Sequence, residues 1–211
     1  MALNKKWRGA VPEITSIEPQ KKDKNRCNVY IDGRFYCGLT LQAALKYRLK
    51  AGMHVEKPFL DEIQLETDKN TALDKALTHI SSSMKTERQI ADFLSKKGYT
   101  EPVCEYVLER MRYYNFIDDY AYCKAYISGV SGRGKRLLEA DLLKRGAKRE
   151  AIERALSEVE EDGGEARAVA QKYLRGKERT KENLYKAFRY LISRGFGYDT
   201  AKEAVDFSDD D

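Results

Sequence analysis

The chain has little of what catalysis, metal binding or membrane insertion usually requires. Its 211 residues include two histidines, four cysteines without a C-x-x-C pair, and no apolar run near the ~18 residues of a membrane span. His54 and His79 are far apart, which excludes a zinc site made by two histidines on one helix. Glycine and proline together account for only 18 residues, as is typical of helix-rich proteins. We predict neither a cofactor nor a metal.

The cysteines favour a reducing compartment. Cys27 and Cys37 flank Asp32-Gly33, a dipeptide that predicts a tight hairpin because both turn positions need a positive φ. A two-residue turn would pair Cys27 with Gly38 and Cys37 with Asn28, which points the two thiols to opposite faces and argues against a disulfide. Free thiols and the absence of an apolar leader-like segment predict a cytoplasmic location without membrane attachment.

Charge is unevenly distributed along the chain. Residues 1–56 include 11 basic and 5 acidic residues, which gives a net charge of +6. Residues 57–205 include 28 basic and 25 acidic residues, which gives a net charge of +3. The last six residues contain four aspartates and no base. This pattern indicates a polyanion or an acidic protein as partner, although a solvated charged surface explains it equally well.

A segment of roughly fifty residues recurs three times around Gly98, Gly146 and Gly195. Each glycine follows a helical apolar stripe and a basic residue, and each precedes a second apolar pair by nine or ten residues. The glycines are predicted to end the middle helix of each repeat in the left-handed conformation. The repeats predict a mainly α fold, a tandem array of three three-helix units behind a small N-terminal α+β module.

The predicted domains follow from this periodicity. We expect strands within residues 13–40, a helix capped by Thr40 that runs to Leu49, and helices at 69–82, 86–97 and 100–114. Residues 53–65 are ambiguous and include a possible short strand with a turn around Pro58. The predicted boundaries are 1–68 for the N-terminal module, 69–117, 118–162 and 163–207 for the repeats, and 208–211 for an acidic tail.

Two motifs that point to enzymes are incomplete. Residues 129–136 match G-x4-G-K, but Arg136 occupies the position where a P-loop needs a hydroxyl for magnesium, and the segment follows a tyrosine-rich helix rather than a strand. A basic turn at a helix start, whose amides hold a backbone phosphate, is the alternative. Asp118 and Asp119 have no third carboxylate nearby, so helix capping explains them better than a metal site. We therefore predict a protein that is not an enzyme.

Clustered tyrosines leave two interpretations open. Tyr113, Tyr114, Tyr120, Tyr122 and Tyr126 lie close together in the sequence. Among basic residues such rings can stack on single-stranded bases. Packing between helices is the more common role, and we favour it here.

Three stretches contain a specific combination of residues. They are Glu87-x2-Ile90-x2-Phe93-Leu94-x2-Lys97-Gly98-Tyr99 leading to Phe116-Ile117-Asp118-Asp119, then Gly134-Lys135-Arg136-Leu137-Leu138-x2-Asp141-Leu142-x2-Arg145-Gly146, and then Tyr190-Leu191-x2-Arg194-Gly195-Phe196. Upstream, Ile14-Thr15-x-Ile17 and the hairpin Val29 to Gly33 extend the pattern. In these residues the chain resembles the RecX family, regulatory proteins that modulate the RecA recombinase, over about residues 13 to 206. Asp141 departs from the glutamate usual in that family.

The resemblance implies a non-enzymatic regulator of recombination that binds the RecA filament and single-stranded DNA, with double-stranded DNA as a further possible ligand. It implies inhibition or modulation of strand exchange, coprotease activity and ATP turnover in DNA repair and the SOS response, by a monomer. The alternative is a general single-stranded DNA-binding protein that competes for DNA. The candidate DNA- and RecA-binding residues are the basic clusters Lys96, Lys97, Arg133, Lys135, Arg136, Lys144, Arg145 and Arg194.

Overall fold

The computed structural model describes residues 11–159 and 163–205. Ten helices and three strands occur within these ranges, which confirms the mainly α fold with a small N-terminal sheet. The chain forms two compact units, one from the described parts of residues 1–77 with 94–107, and one from the described parts of 78–93 with 108–211. The predicted acidic tail 208–211 lies outside the described residues.

The N-terminal sheet is antiparallel, with strands β1 (Ile14–Pro19), β2 (Arg26–Ile31) and β3 (Arg34–Thr40) in that order. Asp32 and Gly33 have φ of 48° and 77°, which confirms the predicted hairpin turn. Alternate residues of β2 face inward, and Val29, Ile31 and Leu39 are buried in the core of this unit. Helix α1 (Leu41–Lys46) follows, capped by Thr40, whose hydroxyl accepts from the Ala43 N–H at 3.1 Å.

The predicted cysteine register is wrong by one residue. Between Val29 and Tyr30 the ladder shifts, so that Cys27 pairs with Leu39 and Cys37 with Val29. This bulge brings both thiols to the buried face, where they are 0% and 1% exposed. Both cysteines are nevertheless free. Periodicity alone could not show the bulge, because the sequence contains no glycine or proline at that point.

Two predicted helix boundaries are also wrong. Helix α1 ends at Lys46 rather than Leu49, and Arg48 has a φ of 51°. The turn predicted around Pro58 is wrong, because helix α2 runs without a break from Lys57 to Ile80. Of the short strand predicted within residues 53–65, the structure shows one isolated antiparallel bridge, between His54 and Glu13. Pro58 lies in its first turn, where the missing N–H costs no helical hydrogen bond. The helix therefore continues across the predicted boundary at 68, and the domain limits remain a prediction.

The remaining helices follow the repeats. They are α3 (Glu87–Lys96), α4 (Glu101–Tyr113), α5 (Asp119–Ser128), α6 (Lys135–Lys144), α7 (Arg149–Ser157), α8 (Gly163–Leu174), α9 (Lys181–Ser193) and α10 (Tyr198–Val205). Helices α5 to α7 share a core that contains Cys123, Leu142 and Ile152. Helices α8 to α10 share another, which contains Ala187 and Leu191. Two of the three predicted three-helix units therefore have a core of their own within the second compact unit.

Helix starts agree with the sequence signals. Thr86 and Gln89 form a capping box at the start of the helix predicted for 86–97, in which the Gln89 N–H donates to Thr86 Oγ1 at 3.2 Å and the Thr86 N–H donates to Gln89 Oε1 at 3.1 Å. Asp118 caps α5 by accepting from the N–H groups of Tyr120 and Ala121. Gly98, Gly146 and Gly195 all have φ between 81° and 86°, as predicted for residues that follow a helix end.

Candidate functional site

The end of α6 packs against the start of α3. The Thr86 hydroxyl donates to the Arg145 carbonyl at 3.0 Å, and the Lys148 ammonium lies 2.7 Å from a Glu87 carboxylate oxygen. Asp119 is buried between these segments, where its two oxygens accept from the Glu87 N–H at 2.9 Å and the Lys148 N–H at 2.8 Å. Asp119 therefore acts as a helix cap, as predicted, rather than as a metal ligand. The helices that it caps are α3 and α7, not its own helix α5.

The end of α9 packs against the start of α6 in an equivalent way. The Gly134 N–H donates to the Arg194 carbonyl at 2.9 Å, and the Arg136 N–H donates to the Gly195 carbonyl at 3.3 Å. The Arg194 guanidinium donates to the Gly132 carbonyl at 2.8 Å. Because the Gly134 and Arg136 amides already have carbonyl partners, these two amides are not available to a phosphate, which counts against that alternative for residues 129–136.

Close approach explains the glycines at both contacts. A Cβ on Gly195 would lie 2.4 Å from the Leu137 nitrogen, and a Cβ on Gly146 would lie 2.7 Å from Arg88 Cδ. At Gly98 a Cβ would meet nothing within 4 Å. The three glycines therefore share a backbone conformation, but only Gly146 and Gly195 join neighbouring repeats.

Three of the candidate arginines make contacts inside the protein. Arg133 pairs with Asp141 and donates to the Tyr126 hydroxyl at 3.2 Å. Arg145 lies over the Tyr126 ring, with its guanidinium carbon 4.5 Å from the ring centroid. Arg194 holds the Gly132 carbonyl. Asp141, the departure from the family pattern, thus binds an arginine of its own repeat.

The other candidate residues differ in exposure and position. Lys96, Lys97, Arg136 and Lys144 are exposed, and Lys135 is half-buried. Lys96 and Lys97 belong to the first compact unit and the other candidates to the second. Within the second unit the structure brings Arg133, Lys135 and Arg136 to the same contact as Arg194. Lys144 and Arg145 lie at the other contact, at the end of α6.

The clustered tyrosines divide into two groups. Tyr122 is buried, and Tyr120 and Tyr126 pack against the same core, in agreement with the packing interpretation. Tyr113 and Tyr114 are exposed, at 77% and 49%, and their rings meet edge to face with centroids 5.0 Å apart. The packing interpretation is therefore wrong for these two.

The described residues contain no group of side chains suited to a metal ion. In residues 11–159 and 163–205, no three His, Cys, Asp or Glu side chains are grouped so that they could hold a metal ion. Residues 129–134 connect helix α5 to helix α6, so the P-loop match does not follow a strand. Burial raises the pKa of the Cys123 thiol to about 11, because the charged thiolate is desolvated, and nearby Asp119 adds to the shift. Such a thiol stays protonated and unreactive at neutral pH.

One basic cluster was missed in the sequence analysis. The connection from α8 to α9 contains Arg175, Lys177 and Arg179, and Lys181 is the first residue of α9; all four are exposed. Its density of basic residues is the signal that could have identified it. It surrounds Gly176, which is not one of the three repeat glycines beside which the candidate basic residues lie. No helix among the described residues is long and apolar enough to cross a bilayer.

Comparison with known proteins places these features in a family. Residues 12–56 match the regulatory protein RecX N-terminal domain, and residues 72–111 match the first three-helix domain of RecX. A regulatory protein RecX of Clostridium acetobutylicum is 32% identical over 201 residues, 91% of this chain and 94% of that protein. A regulatory protein RecX of Clostridium tetani is 30% identical, over 92% of this chain and 94% of that protein. A crystal structure of a regulatory protein RecX shares the fold, with a TM-score of 0.68 over 93% of this chain at 23% identity.

Proposed function

Since this chain belongs to the RecX family of regulatory proteins, we propose that it regulates the RecA recombinase by binding the RecA filament on single-stranded DNA. In this proposal it inhibits or otherwise modulates recombination, coprotease activity and ATP turnover. The observation that carries the proposal is the similarity to RecX proteins along more than nine tenths of both chains. The tandem repeats support it, because many weak contacts along a filament add up through effective concentration.

The exposed cations are the proposed contact residues. Lys96, Lys97, Arg136 and Lys144 present charge to solvent, where it can meet phosphates or acidic side chains. Arg133, Arg145 and Arg194 are proposed to act indirectly, by holding helix ends through the contacts described above. Charge reversal should therefore weaken partner binding at Arg136 or Lys144 without loss of helicity.

The test is a titration of the protein into RecA that hydrolyses ATP on single-stranded DNA at fixed salt. Loss of turnover at amounts well below one per RecA supports filament regulation. Loss only when the protein saturates the DNA supports the alternative, a general DNA-binding protein that competes for strands. An absence of any effect overturns the proposal.

A matched variant sharpens this test. Arg136→Glu with Lys144→Glu changes two exposed cations at helix ends, whereas Lys21→Glu with Lys22→Glu makes the same charge change in the loop between β1 and β2. We expect the first pair to need several times more protein for half inhibition. Equal effects of the two pairs would show that net charge, and not this surface, is responsible.

A further inference from the structure

The third repeat is the most basic of the described repeats. Residues 163–205 contain ten basic and five acidic residues, a net +5, whereas residues 118–159 contain nine and seven, a net +2. Half of the ten lie between residues 172 and 181, where Glu178 is the only acid. They are Lys172, Arg175, Lys177, Arg179 and Lys181. We call this group the α8–α9 basic segment.

The α8–α9 basic segment presents its charge to solvent. All five cationic residues are exposed. Within the described ranges none of the five has an ion-pair partner. Since the nearby Glu178 does not neutralise them, they form a field of positive charge on one short segment, which is suited to a chain of phosphates.

An aromatic pair lies beside this charge. The rings of Tyr173 and Tyr190 are stacked, with centroids 4.8 Å apart and planes 23° apart. The Lys177 ammonium lies 3.7 Å from the centroid of Tyr173, and the Arg194 guanidinium carbon lies 5.9 Å from that of Tyr190. Both tyrosines are half-buried, and Tyr173 packs against the core of the repeat.

The two tyrosines line an open cleft of about 480 Å³, with Lys172 and Arg194 on its wall. The acidic residue of the lining, Glu165, accepts a hydrogen bond from the Gly132 N–H, which offsets part of its charge. A cleft of this volume can hold a nucleobase or a short backbone segment, and Lys172 of the α8–α9 basic segment is one of the residues that line it.

We propose that the α8–α9 basic segment and the Tyr173–Tyr190 pair form a binding site for single-stranded nucleic acid. The cations hold successive phosphates, and a base stacks on Tyr173 where Lys177 now lies. A lysine side chain is flexible, so Lys177 can move from the ring to a phosphate. The inference deepens the proposed function, because it names the part of the chain that holds the strand.

The aromatic pair favours a single strand over the two other partners that attract positive charge. In a duplex the bases are paired and stacked, so a base cannot reach Tyr173, and only phosphate contacts remain. An acidic protein surface needs the cations but gains little from a stacked pair of rings. Stacking of bases on aromatic side chains does not depend on sequence, so we expect binding without base preference.

Fluorescence anisotropy of a labelled oligothymidine of about 20 nucleotides at low salt tests the site, with the full chain and without RecA. The triple variant Arg175→Glu, Lys177→Glu and Arg179→Glu should weaken binding about tenfold or more. Loss of three phosphate contacts should also reduce the slope of log K against log salt by about 2. The matched control changes three exposed lysines of the N-terminal module, Lys21, Lys22 and Lys24, to Glu and should weaken binding less than about threefold.

A second variant separates stacking from charge. Tyr173→Leu keeps an apolar side chain against the core but removes the ring, and should weaken oligothymidine binding by about five- to tenfold. Binding of a duplex of equal length should not change, and Tyr173→Phe should bind as the parent does. Circular dichroism checks that each variant is folded.

Three results would overturn the inference. The first is that the parent protein does not bind oligothymidine at low salt, and the second is that the triple variant at Arg175, Lys177 and Arg179 weakens binding no more than the control variant does. The third is that Tyr173→Leu weakens the binding of single strand and duplex equally. If the parent protein inhibits RecA and the triple variant still binds oligothymidine as tightly as the parent does, the proposed function stands and the inference fails. If the triple variant weakens oligothymidine binding as expected but the parent protein does not change ATP turnover by RecA, the inference stands and the proposed function fails.

Discussion

Replacing Gly195 by alanine tests whether the repeats are held together by close backbone contact. Gly176 is the matched control, because it lies in the same repeat and also has a positive φ, 74° against 86°. A Cβ on Gly176 would meet nothing within 4 Å, whereas one on Gly195 would lie 2.4 Å from the Leu137 nitrogen. The two variants therefore share the conformational cost and differ in the steric cost.

The expected difference can be worked out from the contacts. A left-handed conformation costs an alanine about 1 to 2 kcal/mol, so Gly176→Ala should lower the free energy of unfolding by about that amount. Gly195→Ala must in addition separate the end of α9 from the start of α6. This gives up the hydrogen bonds of the Gly134 and Arg136 amides, at about 1 kcal/mol each. Lost packing adds to this, for a total of about 3 to 5 kcal/mol.

Urea unfolding followed by circular dichroism measures both variants. We expect a much lower midpoint for Gly195→Ala than for Gly176→Ala, with similar slopes. Equal midpoints would refute the reasoning, because they would show that only the φ angle matters at Gly195. Gly98→Ala, with open space around it, should behave like Gly176→Ala.

Three further predictions follow from buried polar groups. Asp119→Ala should lower the free energy of unfolding by about 3 kcal/mol or more, since two backbone amides lose a buried charged acceptor. Asp118→Ala should lower it by only about 1 kcal/mol, because Asp118 is an exposed helix cap. Similar midpoints of urea unfolding for the two variants would contradict this. Ellman's reagent should modify half-buried Cys104 faster than buried Cys37 and Cys123, and equal rates would disprove the burial. Burial raises the pKa of the Cys37 and Cys123 thiols from 9.0 to about 11. The buried neutral thiols therefore contribute their full stability below about pH 9, and this contribution is lost as the pH rises through about 11. We expect a lower midpoint of thermal unfolding at pH 11 than at pH 8.

Local signals predicted most of the elements well. The Asp32-Gly33 turn, the Thr86–Gln89 capping box and the Asp118 cap act within a few residues of themselves, so they form whatever the rest of the chain does. The repeat glycines likewise showed where the middle helices end. Family resemblance came from the same short patterns, and the chain-wide similarity to RecX proteins confirmed it.

The roles of the candidate residues could not be seen in the same way. A basic residue next to a glycine looks alike in the sequence whether it is exposed, as Lys144 is, or engaged, as Arg133 is by Asp141. The α8–α9 basic segment is dense in basic residues already in the sequence, but its exposure and the neighbouring tyrosine pair are visible only in the structure. Side-chain partners distant in sequence decide such roles.

The sequence by itself determined the helical repeats, the hairpin, the helix caps and the positions of left-handed glycines, because each depends on propensities and hydrogen bonds between near neighbours. Tertiary structure alone decided that a bulge turns Cys27 and Cys37 to one buried face, that Asp119 joins the starts of two other helices, and that Gly195 but not Gly98 is enclosed. These outcomes depend on which segments, many residues apart, pack against each other, and a periodic pattern holds no information about that packing.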